Sequence, residues 1–320
     1  MREIMPQILT PDMVEAKYGT LFCKSFITMV DDKNGCAQIV ETCSAKGPRE
    51  WDFVNRKRTG GIITDINSDG EKLIMNTVIG DRDLKFGPAS SELGGQGVFS
   101  LQVEGDRVRT KWRGIAGASV GVGACIPQCK DVIETVYPDD FKIGGANTAE
   151  VEIVTKKMVR MVIGVDDTDT PQQGASWVSS LKMGKECPYG KFIDHKIIQL
   201  NPKAPNKTTN CCSTAVSLAV EEKDIPNVIE YAKEFLRKES YSDDTVMTVF
   251  IGLKIPKELE EWSWNAKSVL YTVEEAKEIA ERNGVQIVEV TGNKGTIGAV
   301  AAIGCFDLGI KAAGVPEDFE

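Results

Sequence analysis

The run Val162-Ile163-Gly164-Val165 ends in Asp166, Asp167 and Asp169, three carboxylates within four residues, and a glycine follows at Gly174. A short apolar run that stops at acids reads as a buried strand feeding a loop. Like charges this close repel, so the cluster must either raise its own pKa values or gain a cation. Short oxygen ligands at a strand end, before a glycine and a helix start, can hold a divalent metal against phosphate groups, which makes the stretch a candidate Mg-nucleotide site. The alternative is a solvated turn in which Asp and Thr, with Ser176, cap the next helix.

The rest of the chain must supply what such a site needs. At 320 residues the length exceeds one core and suggests two domains, or three. Lys and Arg number 38 against 47 Asp and Glu, a balance of −9 that disfavours loose, charge-driven binding to nucleic acid or an anionic membrane. No apolar run approaches the roughly 20 residues of a membrane span, and Met-Arg-Glu-Ile-Met-Pro is not a signal peptide core. A soluble, cytoplasmic protein with no membrane partner is expected. The nine cysteines are spread along the chain, the closest being Cys125 with Cys129, Cys36 with Cys43, and Cys211 with Cys212. They lack paired Cys-x-x-Cys knuckles, so buried free thiols are expected, and a redox or metallocluster role is the third-ranked reading. His195, the single histidine, lies in the alternating run 192–200 and reads as a half-buried strand residue.

In chain order, residues 1–157 are glycine-rich with period-two apolar runs. Hairpins are expected at 61–80, with a turn at Asn67-Ser68-Asp69-Gly70, and at 97–112, with a turn at Gly105-Asp106. Small residues at 114–125 suggest close packing, and Arg49, Arg56, Lys57 and Arg58 a solvated basic loop. Beyond a linker near 144–147, residues 150–165 alternate like a strand entering the acidic loop. Helices are expected at 175–183 and 224–238, the second N-capped by Asp224, and strands at 192–200, 214–220 and 246–253. Near the end, Thr272 and Glu275 form a capping-box pattern opening a helix at 273–282. A strand at 285–290 then feeds Thr291-Gly292-Asn293-Lys294-Gly295-Thr296 and an apolar helix at 297–303. A strand, a glycine loop with a lysine, and a helix can cradle phosphate with backbone N–H groups and the helix dipole; a tight turn is the competing reading.

Four ordered segments then line up: Gly164 to Asp169 with Gly174; Leu200-Asn201-Pro202-Lys203-Ala204-Pro205-Asn206-Lys207-Thr208-Thr209-Asn210; Tyr241-Ser242-Asp243-Asp244-Thr245; and the glycine loop continuing through Gly298 to Gly304. From about 158 to 313 this order resembles the first two domains of the archaeal tRNA isoleucine agmatinylcytidine synthetases, and the whole chain resembles the methanogenesis marker protein 11 family. The resemblance implies a mixed α+β and α/β fold: a β-rich N-terminal domain over 1–157, an ATP-binding kinase-like α/β domain over 158–255, and a ferredoxin-like domain over 256–320. It implies ATP and Mg2+ as cofactors, with Asp166, Asp167 and Asp169 on the metal. Asp166, Asp167 and Lys207 would be catalytic, and Thr168, Thr170, Gly174, Ser176, Asn201, Lys207, Thr208, Gly292, Asn293, Lys294, Gly295 and Gly298 would bind the nucleotide. The synthetases carry a phosphorylated threonine where this chain has Trp177, preceded by Ser176. They also carry later nucleic-acid-binding and zinc-ribbon domains beyond the resemblance, so a tRNA substrate is not expected.

The implied activity is Mg-ATP-dependent phosphoryl or nucleotidyl transfer to a small molecule or protein group, linked to methanogenesis. Maturation of methyl-coenzyme M reductase or its nickel cofactor, with a protein partner from that system, is the suggested context. The second-ranked reading is a nucleotide-responsive assembly factor without catalysis.

Overall fold

The structure, a computed structural model, describes residues 6–86, 93–317 and 319. The chain divides into two compact units, Met1–Met158 and Val159–Glu320. Among the described residues no helix is long and apolar enough to cross a membrane.

The first unit is rich in antiparallel strands. Ile63–Asp69, Lys72–Val78, Cys36–Cys43 and Cys23–Asp31 lie side by side in that order, and Gly95–Glu104 pairs with Arg107–Ile115. Both expected hairpins are present, because alternating apolar residues and a Gly turn fix register together. Phe26 and Trp112 meet edge to face at 5.8 Å within the core.

The basic segment is not a solvated loop. It belongs to the helix Lys46–Thr59, and Arg56 is fully buried there. Its inward positions, Asp52, Asn55, Arg56 and Thr59, follow the i, i+3, i+4, i+7 spacing of a helix face, but the face is polar. A search for apolar periodicity passes over it. Arg56 is held by Glu41 and Asp52, bonds Gln96 at 3.2 Å and stacks on Trp112 at 5.1 Å.

The second unit is a five-stranded antiparallel sheet covered on both faces. The order is Gly190–Gln199, Cys212–Val220, residues 159–166 of the strand Thr148–Asp166, Val246–Ile251, then Gln286–Glu289. Residues 158–255 and 256–320 share this sheet, since Val246–Ile251 pairs with Gln286–Glu289. Met161, Ile163 and Val165 pack with the helices Ser176–Glu186 and Ile225–Glu239. Val162 points to the other face, towards Lys257–Asn265, Val273–Arg282 and Thr296–Gly304. Burial on both faces explains why the central strand reads as a continuous apolar run. Gly164 completes the fit: a Cβ there would strike the Ala299 carbonyl, so the apolar helix sits directly on the strand.

The capping box at Thr272 and Glu275 is formed. Asp224, by contrast, makes no capping bond; a short 3-10 turn at Glu222–Asp224 starts the helix, and Asp224 Oδ1 accepts from Asn227 Nδ2 at 3.1 Å.

Candidate nucleotide site

Antiparallel order decides which loops meet. The central strand ends at Asp166, opposite Val246, where its neighbour begins; Val165 lies opposite Thr214, near the start of the other neighbour. Gly190–Gln199 and Gln286–Glu289 run in the same sense as the central strand and end on the same side. The segments 167–175, 200–211, 240–245 and 290–295 therefore gather at one end of the sheet. Hydrogen bonds tie them: Tyr241 N–H to the Thr168 carbonyl at 2.8 Å, Thr245 Oγ1–H to the Asp167 carbonyl at 2.7 Å, Thr245 N–H to Thr291 Oγ1 at 2.9 Å, and Gly295 N–H to the Asp244 carbonyl at 3.1 Å.

A cavity of about 340 Å³ opens at this end, within the usual size range of small-ligand sites. Its lining brings together Asp166, Asp167, Asp169, Gly174, Ser176, Lys207, Thr208, Lys294 and Gly298. Thr168, Thr170, Asn201, Gly292, Asn293 and Gly295 do not line it; they shape the loops. Thr168 is buried and donates through N–H and Oγ1 to Ser176 Oγ, both at 3.1 Å. Thr170 Oγ1 accepts from Gln173 N–H at 3.3 Å. Asn201 accepts from Lys203 N–H and donates to the Ser268 carbonyl, both at 2.9 Å. Gly292 packs on the Asp243–Asp244 backbone, Gly295 on the Asp166 and Asp244 carbonyls, and the Asn293 carbonyl receives Thr296 N–H at 3.2 Å.

Ser176 is not a cap. The capping position falls on Ala175, and Ser176 Oγ, 3.1 Å from Asp169 Oδ1, is shared between Thr168 and that carboxylate. Asp167 has a left-handed backbone, φ 56°, which turns consecutive acids in different directions. Asp166 lies against the first turn of Thr296–Gly304, where Gly298 leaves room for its carboxyl group. Asp167 Oδ1 accepts from Thr208 Oγ1 at 3.3 Å.

These positions carry an electrostatic cost. Burial, then Asp167 and Asp169, push the Asp166 carboxyl well above the usual carboxylate range. Burial also pushes Asp167 up to about 6, with Asp169 and Asp244 adding to it and Thr208 and Lys294 opposing. The described cations that line the cavity are two. Lys294 is bound to Asp244 Oδ2 at 2.7 Å, and Lys207 Nζ donates to the Pro202 carbonyl. Among the described residues no three His, Cys, Asp or Glu side chains form a ready-made metal cage. The donor set nevertheless suits Mg2+, which usually takes one or two carboxylates together with substrate phosphates.

The motifs did not announce the apolar wall. Trp177 and Ile197 line the cavity while 46% and 39% exposed, and Cys211, Cys212 and Ser213 complete that side. Burial pushes the Cys211 thiol up to about 11 and raises Cys212 as well, so neither is poised as a thiolate. His195 lies in its strand as expected, half-buried, its Nε2 2.8 Å from Thr214 Oγ1 and 3.2 Å from Ser180 Oγ; burial lowers its pKa.

Comparison with known proteins adds four findings. Residues 162–292 match the TiaS TCKD domain family. The chain is 36% identical over 301 residues to the uncharacterized protein MJ0921 of Methanocaldococcus jannaschii, covering 93% of this chain and 98% of that protein. It is 32% identical over 152 residues to the isoleucine-tRNA 2-agmatinylcytidine synthetase TiaS of Thermococcus sibiricus and 27% over 147 residues to that of Pyrococcus horikoshii, covering 46% and 44% of this chain. It spans 35% of the length of each of these two synthetases. A crystal structure of TiaS in complex with its isoleucine tRNA and ATP aligns with 46% of this chain and 36% of its own, at 22% identity and TM-score 0.42.

Proposed function

We propose, for a chain that belongs to the family of the uncharacterized protein MJ0921 and matches the TiaS TCKD domain over 162–292, that the unit Val159–Glu320 binds Mg-ATP at this cavity and uses it in phosphoryl or nucleotidyl transfer. The observation that carries the reading is the crowding of three acids at one cavity wall: burial and mutual repulsion raise Asp166 and Asp167 despite Thr208 and Lys294, and a bound cation would remove that penalty. Asp166 and Asp167 hold the metal, with Asp169 fixed by Ser176 beside them. Held there, the metal would supply neutralisation of phosphate charge. Lys207 exchanges its carbonyl partner for a phosphate oxygen, Thr208 donates its hydroxyl, and Lys294 stands over the glycine loop. Trp177 and Ile197 form the apolar wall for the base. Such chemistry rests on positioning and electrostatics, which these residues supply without a histidine.

The acceptor is a small molecule or a protein group. Resemblance to the methanogenesis marker protein 11 family extends the proposal to methanogenesis and to maturation of methyl-coenzyme M reductase or its nickel cofactor, with a protein partner from that system. One observation favours the non-catalytic assembly factor instead: Trp177 stands at the expected threonine, and the neighbouring Ser176 hydroxyl is already engaged by Thr168 and Asp169.

Calorimetry with Mg-ATP decides the first point. Binding is expected, with at least a tenfold weaker Kd for Asp166→Asn. No binding at millimolar ATP sinks both nucleotide readings. ADP or AMP release with a small molecule or a protein acceptor supports the enzyme, ATP binding without turnover the factor, and release only with tRNA replaces the proposed acceptor.

A further inference from the structure

The first unit contains a cluster that the nucleotide site does not use. Cys23 and Cys43 are direct cross-strand partners in the antiparallel pair Cys23–Asp31 with Cys36–Cys43. Such partners lie about 4.5 to 5.5 Å apart at Cα, inside the roughly 4.4 to 6.8 Å that a disulfide spans. The thiols of Cys43, Cys125 and Cys129 are the neighbours that most perturb the Cys23 thiol, so three separate stretches of chain bring sulfur near it. Cys43, Cys125 and Cys129 are buried, and Cys23 is half-buried. Cys23 Sγ also donates to Glu41 Oε1 at 3.2 Å, and Glu41 is the partner of buried Arg56. A cavity of about 410 Å³ is lined by Cys125 together with Phe22, Trp51 and Gln96, and it neighbours Cys23 in sequence through Phe22.

We propose that Cys23 and Cys43 are a reversible dithiol–disulfide pair, with Cys125 and Cys129 as exchange partners, and that the co-reactant is a small organic disulfide. Cys23, the most exposed of the four, attacks one sulfur of R–S–S–R as its thiolate, expelling RS⁻. Cys43 then attacks the Cys23 sulfur of the mixed disulfide, forms the Cys23–Cys43 bond and expels the second RS⁻. The two protons lost by the protein thiols end on the two expelled thiolates. Two protein thiols are oxidised and one small disulfide becomes two thiols. The neighbouring thiols, then burial, hold the Cys23 thiol well above its ordinary value, so the pair is stored as thiols at neutral pH and its oxidation accelerates as pH rises. The hydrogen bond from Cys23 holds the Cys43 thiol below its ordinary value, as the resolving step requires.

The test uses the full chain, purified anaerobically and equilibrated with cystamine and cysteamine at graded ratios, then alkylated and mapped. The expected result is loss of two of the nine alkylatable thiols, with a peptide carrying Cys23 joined to one carrying Cys43. Fragmentation separates Cys43 from Cys36, which shares its tryptic peptide. Cys43→Ser should move the bond to Cys23–Cys125 or Cys23–Cys129, and Cys211→Ser should leave it unchanged. Nine alkylated thiols at every ratio, a first disulfide that excludes Cys23, or stoichiometric zinc or iron released from the purified chain by thiol reagents would each overturn the proposal.

Discussion

Gly298→Ala should destabilise the second unit, although alanine is normally the better helix residue. A Cβ at 298 collides with the Asp166 side chain, whose Oδ2, Cγ and Cβ are its three nearest neighbours. The helix and strand backbones are fixed by the core, so the carboxyl group must leave its part-buried seat at the cavity wall. Overpacking of this kind costs about 1 to 3 kcal/mol, and a collision with three atoms of one side chain belongs at the upper end. Exchanging Gly for Ala inside a helix returns up to about 1 kcal/mol. The net loss is about 2 kcal/mol, which for a unit of this size lowers Tm by roughly 4 to 8 °C. In an Asp166→Ala background only the Cβ contact at 3.2 Å remains, and the same substitution should cost almost nothing or become mildly stabilising. A double-mutant cycle read by calorimetric or denaturant unfolding should therefore give a coupling of about 1.5 kcal/mol or more. Equal losses in the two backgrounds would show that Gly298 is not there to seat Asp166, and the geometry of the site would be wrong. Asp166→Ala alone should raise the stability of the nucleotide-free protein, because it removes a part-buried and repelled carboxyl group while abolishing ATP binding.

Three further perturbations separate the units. Burial pushes Asp52 up to about 7, above its unfolded value of roughly 3.9, so the folded state binds the extra proton. Its contribution is fully present below about pH 4 and is lost as pH rises through 7, with a slope of up to about 1.4 kcal/mol per pH unit; Asp52→Asn should remove that slope from the difference in denaturant stability between pH 5 and pH 8, and an unchanged slope refutes the assignment. Arg56→Met strands Glu41 and Asp52 without their cation and should cost about 3 to 5 kcal/mol, measured by urea unfolding of the first unit; a loss below about 1 kcal/mol contradicts the buried network. Trp177→Ala should weaken Mg-ATP binding by roughly 5- to 150-fold, the worth of about 1 to 3 kcal/mol of base stacking, with Tm unchanged because the ring is 46% exposed; an unchanged Kd removes Trp177 from the base wall.

What the sequence made legible follows the apolar code. The hairpins of the first unit, the strands that flank 159–166, and the helix Ile225–Glu239 with Val228, Ala232 and Leu236 inward were readable because each buries apolar side chains at its own period. The helix Lys46–Thr59 escaped because its buried face is Asp52, Asn55, Arg56 and Thr59. Burial there is possible only because Glu41 and Gln96, distant in sequence, complete the network. The composition of one segment cannot report partners that the fold brings from elsewhere. The same limit hid the thiol cluster: the spacing of Cys23, Cys43, Cys125 and Cys129 has no motif, and only strand register and the buried turn at Gly121–Cys125 bring them together.

The acid site was legible for a different reason. An apolar run ending in three carboxylates is an unusual local cost, and a fold tolerates such a cost where something offsets it. What the local pattern could not give was the division of labour within the loops. Thr168, Thr170, Asn201, Gly292, Asn293 and Gly295 are small or polar for the same reason as the residues that line the cavity: they sit in tight loops crowded against one another. Thr168 and Ser176 show how little composition separates the two cases. Their hydroxyls are hydrogen-bonded together, yet Ser176 lines the cavity and Thr168 is buried behind it. The register of the central strand decides which is which, because it places Asp166 opposite Val246 and thereby fixes which side of each returning loop meets the cleft. Substitutions at Thr168 and Asn201 should accordingly lower stability and nucleotide affinity together, whereas those at Lys207 and Trp177 should change affinity alone.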